Sequence, residues 1–183
     1  MLAILIAGIF IIELRHSEEV KTQQGLAAAP EGPEAQGKEE TIRVLVAYDD
    51  DLALRWRTTQ AFMPDERDLR ARAALRAVLA QYLQTPSPHP LAKGADIKDV
   101  YFLNPDTVIV DTTAQFADGH RSGALLEEMT LTSLIETLNA NVPGISKVKF
   151  LVEGRERQTL AGHADLVSFY PVSAVHELAR EFQ

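Results

Sequence analysis

From Thr41 onward, apolar and polar positions alternate with the two-residue period of a β-strand. Ile42, Val44 and Val46 fall on one side, Arg43, Leu45 and Ala47 on the other. A second run, Leu54, Trp56, Thr58, Gln60 and Phe62, predicts one face of a following strand, with Arg55 and Arg57 opposite. Asp49-Asp50-Asp51 between them reads as a solvated hairpin turn, because a calcium loop needs a longer, regularly spaced ligand set ending in Glu. The period then lengthens. Pro64-Asp65-Glu66 opens a helix, with proline early and acids at the positive end of the dipole. Leu75, Val78, Leu79, Tyr82 and Leu83 form its apolar stripe, and Arg67, Arg70, Arg72 and Arg76 are assigned to its solvated face.

The helix is expected to end near Thr85-Pro86, and Pro86, Pro88 and Pro90 to keep the next loop extended. Val100–Leu103 and Thr107–Val110 flank the turn residues Asn104-Pro105-Asp106 and predict a hairpin. A second helix is expected from about Gly123 to Asn139, burying Leu131, Leu134, Ile135 and Leu138, with Pro143-Gly144 beyond it. Val148, Phe150 and Val152 alternate with Lys147, Lys149 and Leu151 in a strand that closes at Gly154. Val175, Leu178, Ala179 and Phe182 give the tail, Ser173 to Phe182, the spacing of a short closing helix.

The N-terminal region has neither period. Met1 to Ile12 is apolar throughout apart from Gly8, shorter than the ~20 residues that span a bilayer and without a basic segment before it. Two readings compete: a buried helix or strand of the domain, or the tail of a membrane anchor that starts upstream of Met1. The second is preferred, because an acidic stretch rich in Gly, Pro and Ala follows, a composition too poor in apolar groups to repay its ordering entropy. No small-residue cleavage site follows directly, so retention is expected. The predicted organisation is an anchor at 1–12, a flexible linker at 13–40 and a domain at 41–183.

With 183 residues and 46% hydrophobic content the chain can bury a proper core. It has no cysteine, which removes disulfides, thiolate zinc sites, thiol nucleophiles and lipid attachment through cysteine. The net charge is −8, half of it within the first 40 residues. That balance argues against nucleic acid and against attraction to anionic lipid.

Asp118-Gly119-His120 together with His163, Asp165 and His176 could supply metal ligands. The alternative function they define is a metal-binding protein or metal-dependent hydrolase using His120, His163 and Asp165. Their spacing matches no zinc motif. A Gly-His-x-Asp turn more often fixes a loop, the imidazole donating to a backbone carbonyl and the Asp capping local N–H groups. Ser122-Gly123 beside His120 is the only candidate for a nucleophile and reads better as a helix N-cap. No glycine-rich phosphate loop precedes a helix. An enzyme, a cofactor or a bound metal is therefore not expected.

Several motifs occur in a telling order. A strand ends Val108-Ile109-Val110-Asp111, and a helix contains Ile135-Glu136-Thr137-Leu138. Then come Val148-Lys149-Phe150-Leu151-Val152-Glu153-Gly154 and Leu160-Ala161-Gly162-His163-Ala164-Asp165. In this order the chain resembles the GerMN domain, the module of the sporulation and spore-germination protein GerM that also occurs in LpqB-like lipoproteins. The resemblance covers about residues 42–172, with its specific motifs after Val108. It implies an α/β (α+β) fold, a small mixed β-sheet with two main helices packed on one face, plus the short C-terminal helix. It marks Asp111, Gly154, Gly162, His163 and Asp165 as motif residues of structural use.

The resemblance further implies a domain outside the cytoplasm, held by a single N-terminal anchor in the bacterial cell membrane. Its expected role is non-catalytic scaffolding in the cell envelope, with other envelope proteins or a second copy as partner. The single domain copy and the missing lipid-attachment cysteine depart from the GerM pattern and weigh against a specifically sporulation role. A third function is a binding module for cell-wall glycan or peptide, with Trp56 or Tyr101 as a stacking surface.

Overall fold

The computed structural model describes residues 36–183. The anchor expected at 1–12 and the linker up to residue 35 lie outside the described residues. Strand β1, Gly37–Tyr48, pairs antiparallel with β2, Ala53–Pro64, in unbroken register from Tyr48↔Ala53 to Gly37↔Pro64. Lys38, Glu39 and Glu40, read from sequence as linker, therefore belong to the ribbon. Ile42, Val44 and Val46 are buried as their alternation requires, but so are Leu45 and Ala47. Both long helices pack against β1, so neither side of its middle section reaches water.

The predicted face of β2 holds only at the turn. Leu54 is buried and Trp56 partly buried, whereas Thr58, Gln60 and Phe62 are exposed; the inward set passes to Thr59, Ala61 and Met63. Two-stranded ribbons twist strongly, so a face that meets the core at one end rotates away from it at the other.

Helix α1, Arg67–Leu83, buries Ala71, Ala74, Leu75, Val78, Leu79 and Tyr82, while Leu83 in its last turn is exposed. Its arginines are not a free solvated face. Arg70 grips Glu40 of β1 with both terminal nitrogens (3.0 and 2.6 Å), Arg72 reaches Asp99 at 3.1 Å, and Arg76 holds Asp96 at 2.8 and 2.6 Å. Arg67 donates to the carbonyls of Pro105 (2.5 Å) and Pro143 (2.8 Å). Exposed pairs of this kind are individually weak. Together they fix the azimuth of α1 against the strands on either side.

The other strands form a separate sheet in the order β3-β4-β5-β6, so the expected small sheet is divided in two. β3, Ile97–Asn104, and β4, Thr107–Thr112, are the predicted hairpin, with register irregularities near both ends of β3. β5, Lys147–Val152, runs parallel to β4, and the two-residue β6, Tyr170–Pro171, pairs antiparallel with β5. Every residue of β4 is buried, as suits a central strand with one parallel neighbour. The β4–β5 crossover carries α2, Ala114–Asp118, and α3, Ala124–Asn141; α4, Val172–Glu181, closes the chain with Val175 and Ala179 buried.

Helix α3 departs most from its sequence pattern. Leu131, Leu134, Ile135 and Leu138 are buried as expected, yet burial is unbroken from Met129 to Leu138 and includes Thr130, Thr132, Ser133, Glu136 and Thr137. The helix lies among β1, α1 and α4 and has no wide solvent face in this section. Its polar side chains mostly find partners inside the protein, Glu136 Oε1 being left without one.

Candidate functional site

The partners of α3 explain how the ribbon is held. The Leu45 N–H donates to Thr137 Oγ1 (2.8 Å), and Asn141 Nδ2 donates to the Arg43 carbonyl (2.7 Å). The Ala47 N–H donates to the Tyr82 hydroxyl (2.9 Å), which donates onward to Ser133 Oγ (2.8 Å). Burial pushes the Tyr82 phenol well above its ordinary pKa, so it stays a neutral donor and acceptor. The outer edge of β1, which would otherwise carry unmet backbone groups, is thus capped by helix side chains.

A second polar cluster sits where the β1–β2 turn meets α3. His89, from the proline-rich loop, places Nδ1 at 2.5 Å from Asp49 Oδ1 and Nε2 at 2.6 Å from Thr130 Oγ1. His120 directs Nε2 to the same hydroxyl (2.7 Å) and Nδ1 to the Arg121 carbonyl (2.7 Å); Arg121 in turn pairs with Asp49 Oδ2 at 2.8 Å. Asp49 is therefore a partly buried turn residue whose carboxylate is held on both oxygens, not a freely solvated one. Burial pushes both imidazoles below their ordinary pKa; at His89 the Asp49 carboxylate opposes that shift.

The most concentrated site is built on Glu127, in the first turn of α3 and fully buried. Its Oε2 accepts from the N–H groups of Ala161 (3.0 Å), His163 (2.9 Å) and Ala164 (2.9 Å). Its Oε1 accepts from His163 Nδ1 (2.9 Å) and the Gly123 N–H (3.2 Å). Burial raises the carboxyl pKa, but the His163 imidazole and the backbone donors outweigh it and hold the group down at about 2. One carboxylate thereby pins the loop between β5 and β6 onto α3.

Beside this loop a groove of about 310 Å³ opens between α3 and α4, floored by Leu131, Ile135, Val175 and Leu178 and rimmed by His163 and Asp165. Tyr170 borders it. Burial, with Asp165 nearby, raises the Tyr170 phenol to about 12.

The motif residues fall around this loop and the end of β5. Asp111 accepts from the Gly154 N–H at 2.7 Å, and Gly154 takes φ +70°, where a side chain would strain the backbone. Gly162 has φ +123°. Asp165 accepts from the N–H groups of Val167 (2.8 Å) and Ser168 (3.3 Å). His163 turns to the Glu127 carboxylate, not to a backbone carbonyl.

The candidate metal ligands do not converge. His120 is bound to Thr130, His163 to Glu127, and His176 to Glu136 Oε2 at 3.0 Å, while Asp118 pairs with Arg157. Among the described residues no three His, Asp or Glu side chains gather around a possible ion site. Ser122 is not the N-cap of α3, a position held by Gly123. Its hydroxyl lies 3.5 Å from His163 Nδ1, the nitrogen already engaged by Glu127, which is not the relay of a serine hydrolase. Arg43 stacks over Trp56, 4.3 Å from the ring centroid, and Tyr101 is half-exposed on β3.

A twisted hairpin, a four-stranded mixed sheet and a loop pinned to the crossover helix define a GerMN-type α/β domain. Residues 36–158 match the family model described as Germane, sporulation and spore germination, and the chain belongs to that family. The match begins six residues before the expected start of the resemblance and stops short of the Gly162-His163-Ala164-Asp165 segment. Two solved structures share the fold. One is a candidate lipoprotein from Clostridium perfringens, with 17% identity and TM-score 0.50, covering 74% of this chain and 87% of that one. The other holds the tandem GerMN domains of the sporulation protein GerM from Bacillus subtilis, with 18% identity and TM-score 0.51, covering 72% of this chain and 45% of that one. The chain thus spans under half the length of the tandem structure. No curated protein matches it in sequence.

Proposed function

We propose that this chain is a membrane-anchored, extracytoplasmic domain that works in the cell envelope as a non-catalytic assembly module. The observation that carries this reading is how the polar side chains are used. Glu127, His163, His89, His120, Asp49 and Asp111, the groups best suited to chemistry, are each engaged by the protein's own backbone or side chains. Membership of a sporulation and germination family supports an envelope role, as does a fold shared with a candidate lipoprotein. Among the described residues no helix is long and apolar enough to cross a membrane, so attachment is assigned to the apolar residues 1–12.

Fractionation of cells making the intact chain tests the reading. Recovery in the membrane fraction, released by detergent but not by high salt, is expected. Recovery in the soluble cytosolic pool would overturn it. Affinity capture from detergent-solubilised membranes should bring down a second envelope protein or another copy of the chain. Stoichiometric zinc on the purified protein would favour the metal-binding alternative.

A further inference from the structure

The ribbon has two long edges, and that of β1 is met by helix side chains over residues 43–47. Leu45 N–H, Ala47 N–H and the Arg43 carbonyl all bond to helix side chains, so odd-numbered residues of β1 turn their backbone groups away from β2. Their partners in register are Trp56, Leu54 and Thr58, so even-numbered residues of β2 present backbone groups on the opposite, outer edge. Leu54 N–H is met by the Phe182 carbonyl at 2.8 Å. For Trp56, Thr58, Gln60 and Phe62 no outward backbone partner exists among the described residues. This open edge runs without a bulge and shows a Phe62 that is 46% exposed. The free edge of the other sheet, β3, is broken by register shifts at both ends, a common protection against strand addition.

We propose that the open edge of β2 pairs antiparallel with the same edge of a second copy, about a two-fold axis at Thr59. This deepens the assembly reading, on which it rests, by naming the partner. The register follows from the sequence. A two-fold at Thr59 sets Thr58 opposite Gln60 and Trp56 opposite Phe62, so the exposed Phe62 ring of each copy is covered by the other's Trp56. Arg57 then faces Ala61 and Arg55 faces Met63, so no like charges stand opposite one another. The outward groups of the four even residues give about eight hydrogen bonds between the chains, two per hydrogen-bonded pair. An isologous contact of this kind closes on itself and stops at the dimer.

The chain has no native cysteine, so single cysteines report the register directly. Thr59 would face its own copy in a non-hydrogen-bonded pair, with Cα atoms about 4.5 Å apart, within reach of a disulfide. A cysteine at Ala61 would lie four residues out of step with its copy, about 13 Å away. The full chain, in native membranes under mild oxidation, is expected to give a disulfide dimer with Thr59→Cys and to stay monomeric with Ala61→Cys. Co-expression of Arg57→Cys with Ala61→Cys should restore the cross-link.

Adding Phe62→Lys to Thr59→Cys should reduce cross-linking at least fivefold without touching the core. Adding Gln60→Pro, which removes an outward N–H together with the exposed side-chain bond from Gln60 to Thr41, should do the same. Equal cross-linking at 59 and 61, cross-linking indifferent to Phe62→Lys, or none at 59 each overturns the pairing. If cross-linking fails while the wild-type chain still captures another envelope protein, self-pairing alone falls. If both fail, the assembly reading falls with it.

Discussion

Replacing Glu127 tests the central structural claim, that one carboxylate holds the loop between β5 and β6. Glu127→Ala would leave the N–H groups of Gly123, Ala161, His163 and Ala164 without their acceptor. Hydrogen bonds to a charged group are worth about 1.5–3 kcal/mol each, but the loss cannot grow by simple addition, because the loop can lift away and hydrate its donors. Lifting would expose Leu160 and Leu166, both fully buried, at about 1.5–3 kcal/mol apiece. The loss for Glu127→Ala is therefore expected at about 3–6 kcal/mol, the range set by the cheaper of those two routes.

Glu127→Gln keeps an oxygen for the three donors on Oε2 but turns an amide toward the Gly123 N–H, and should lose about 1–2 kcal/mol. His163→Ala, whose ring is half-exposed, should lose less than about 1 kcal/mol. Urea denaturation followed by circular dichroism gives the ranking, and hydrogen exchange at residues 161, 163 and 164 locates the effect. A Glu127→Ala protein within 0.5 kcal/mol of the parent, a margin typical of surface substitutions, would refute the reasoning, as would unchanged exchange at those amides.

Acid should act in two separate windows. Burial lowers the folded pKa of His89 and His120 below their ordinary 6.5, so the unfolded chain takes up protons first; stability is intact above that value and erodes as pH falls below it. Glu127, held at about 2, contributes stability that is complete above its ordinary 4.5 and is lost as pH falls toward 2. Denaturation across pH should therefore show His120→Gln flattening the first slope and Glu127→Gln the second; identical profiles would sink both assignments. Tyr82→Phe leaves the buried Ala47 N–H without an acceptor and is expected to lose about 1–3 kcal/mol, read from urea midpoints at constant slope. Gly154→Ala, at φ +70°, should lose about 1–2 kcal/mol in the same assay, and an unchanged midpoint would contradict the strained geometry.

The strands and helices were legible in the sequence wherever one period ran unbroken. Both hairpins, α1, α3, β5 and α4 lie where alternation or helical spacing placed them, and the chain belongs to the family its motif order suggested. What escaped was the use of polar residues. A glutamate in the first turn of a helix looks like a partner for the dipole, and nothing local marks Glu127 as buried. Its loop donors come from residues 161 to 164, more than thirty positions away. Thr130, Ser133 and Thr137 lie outside the apolar stripe read for α3, yet each meets a partner supplied by another element or by its own helix. His89 lay unremarked between prolines because its partners, Asp49 and Thr130, stand about forty residues away on either side. Phe62 misled for another reason: a flat alternation rule takes no account of twist in a lone ribbon.

Where the Glu127 anchor gets its donors also bears on how this protein can be divided. The family match stops at residue 158, yet the amides that neutralise the buried carboxylate begin at 161. A fragment trimmed to the matched span would leave the Glu127 carboxylate without the loop donors that hold it, and would lose α4, which packs on α3. The domain extends past the matched span, and its last twenty-five residues supply contacts on which the part before them rests.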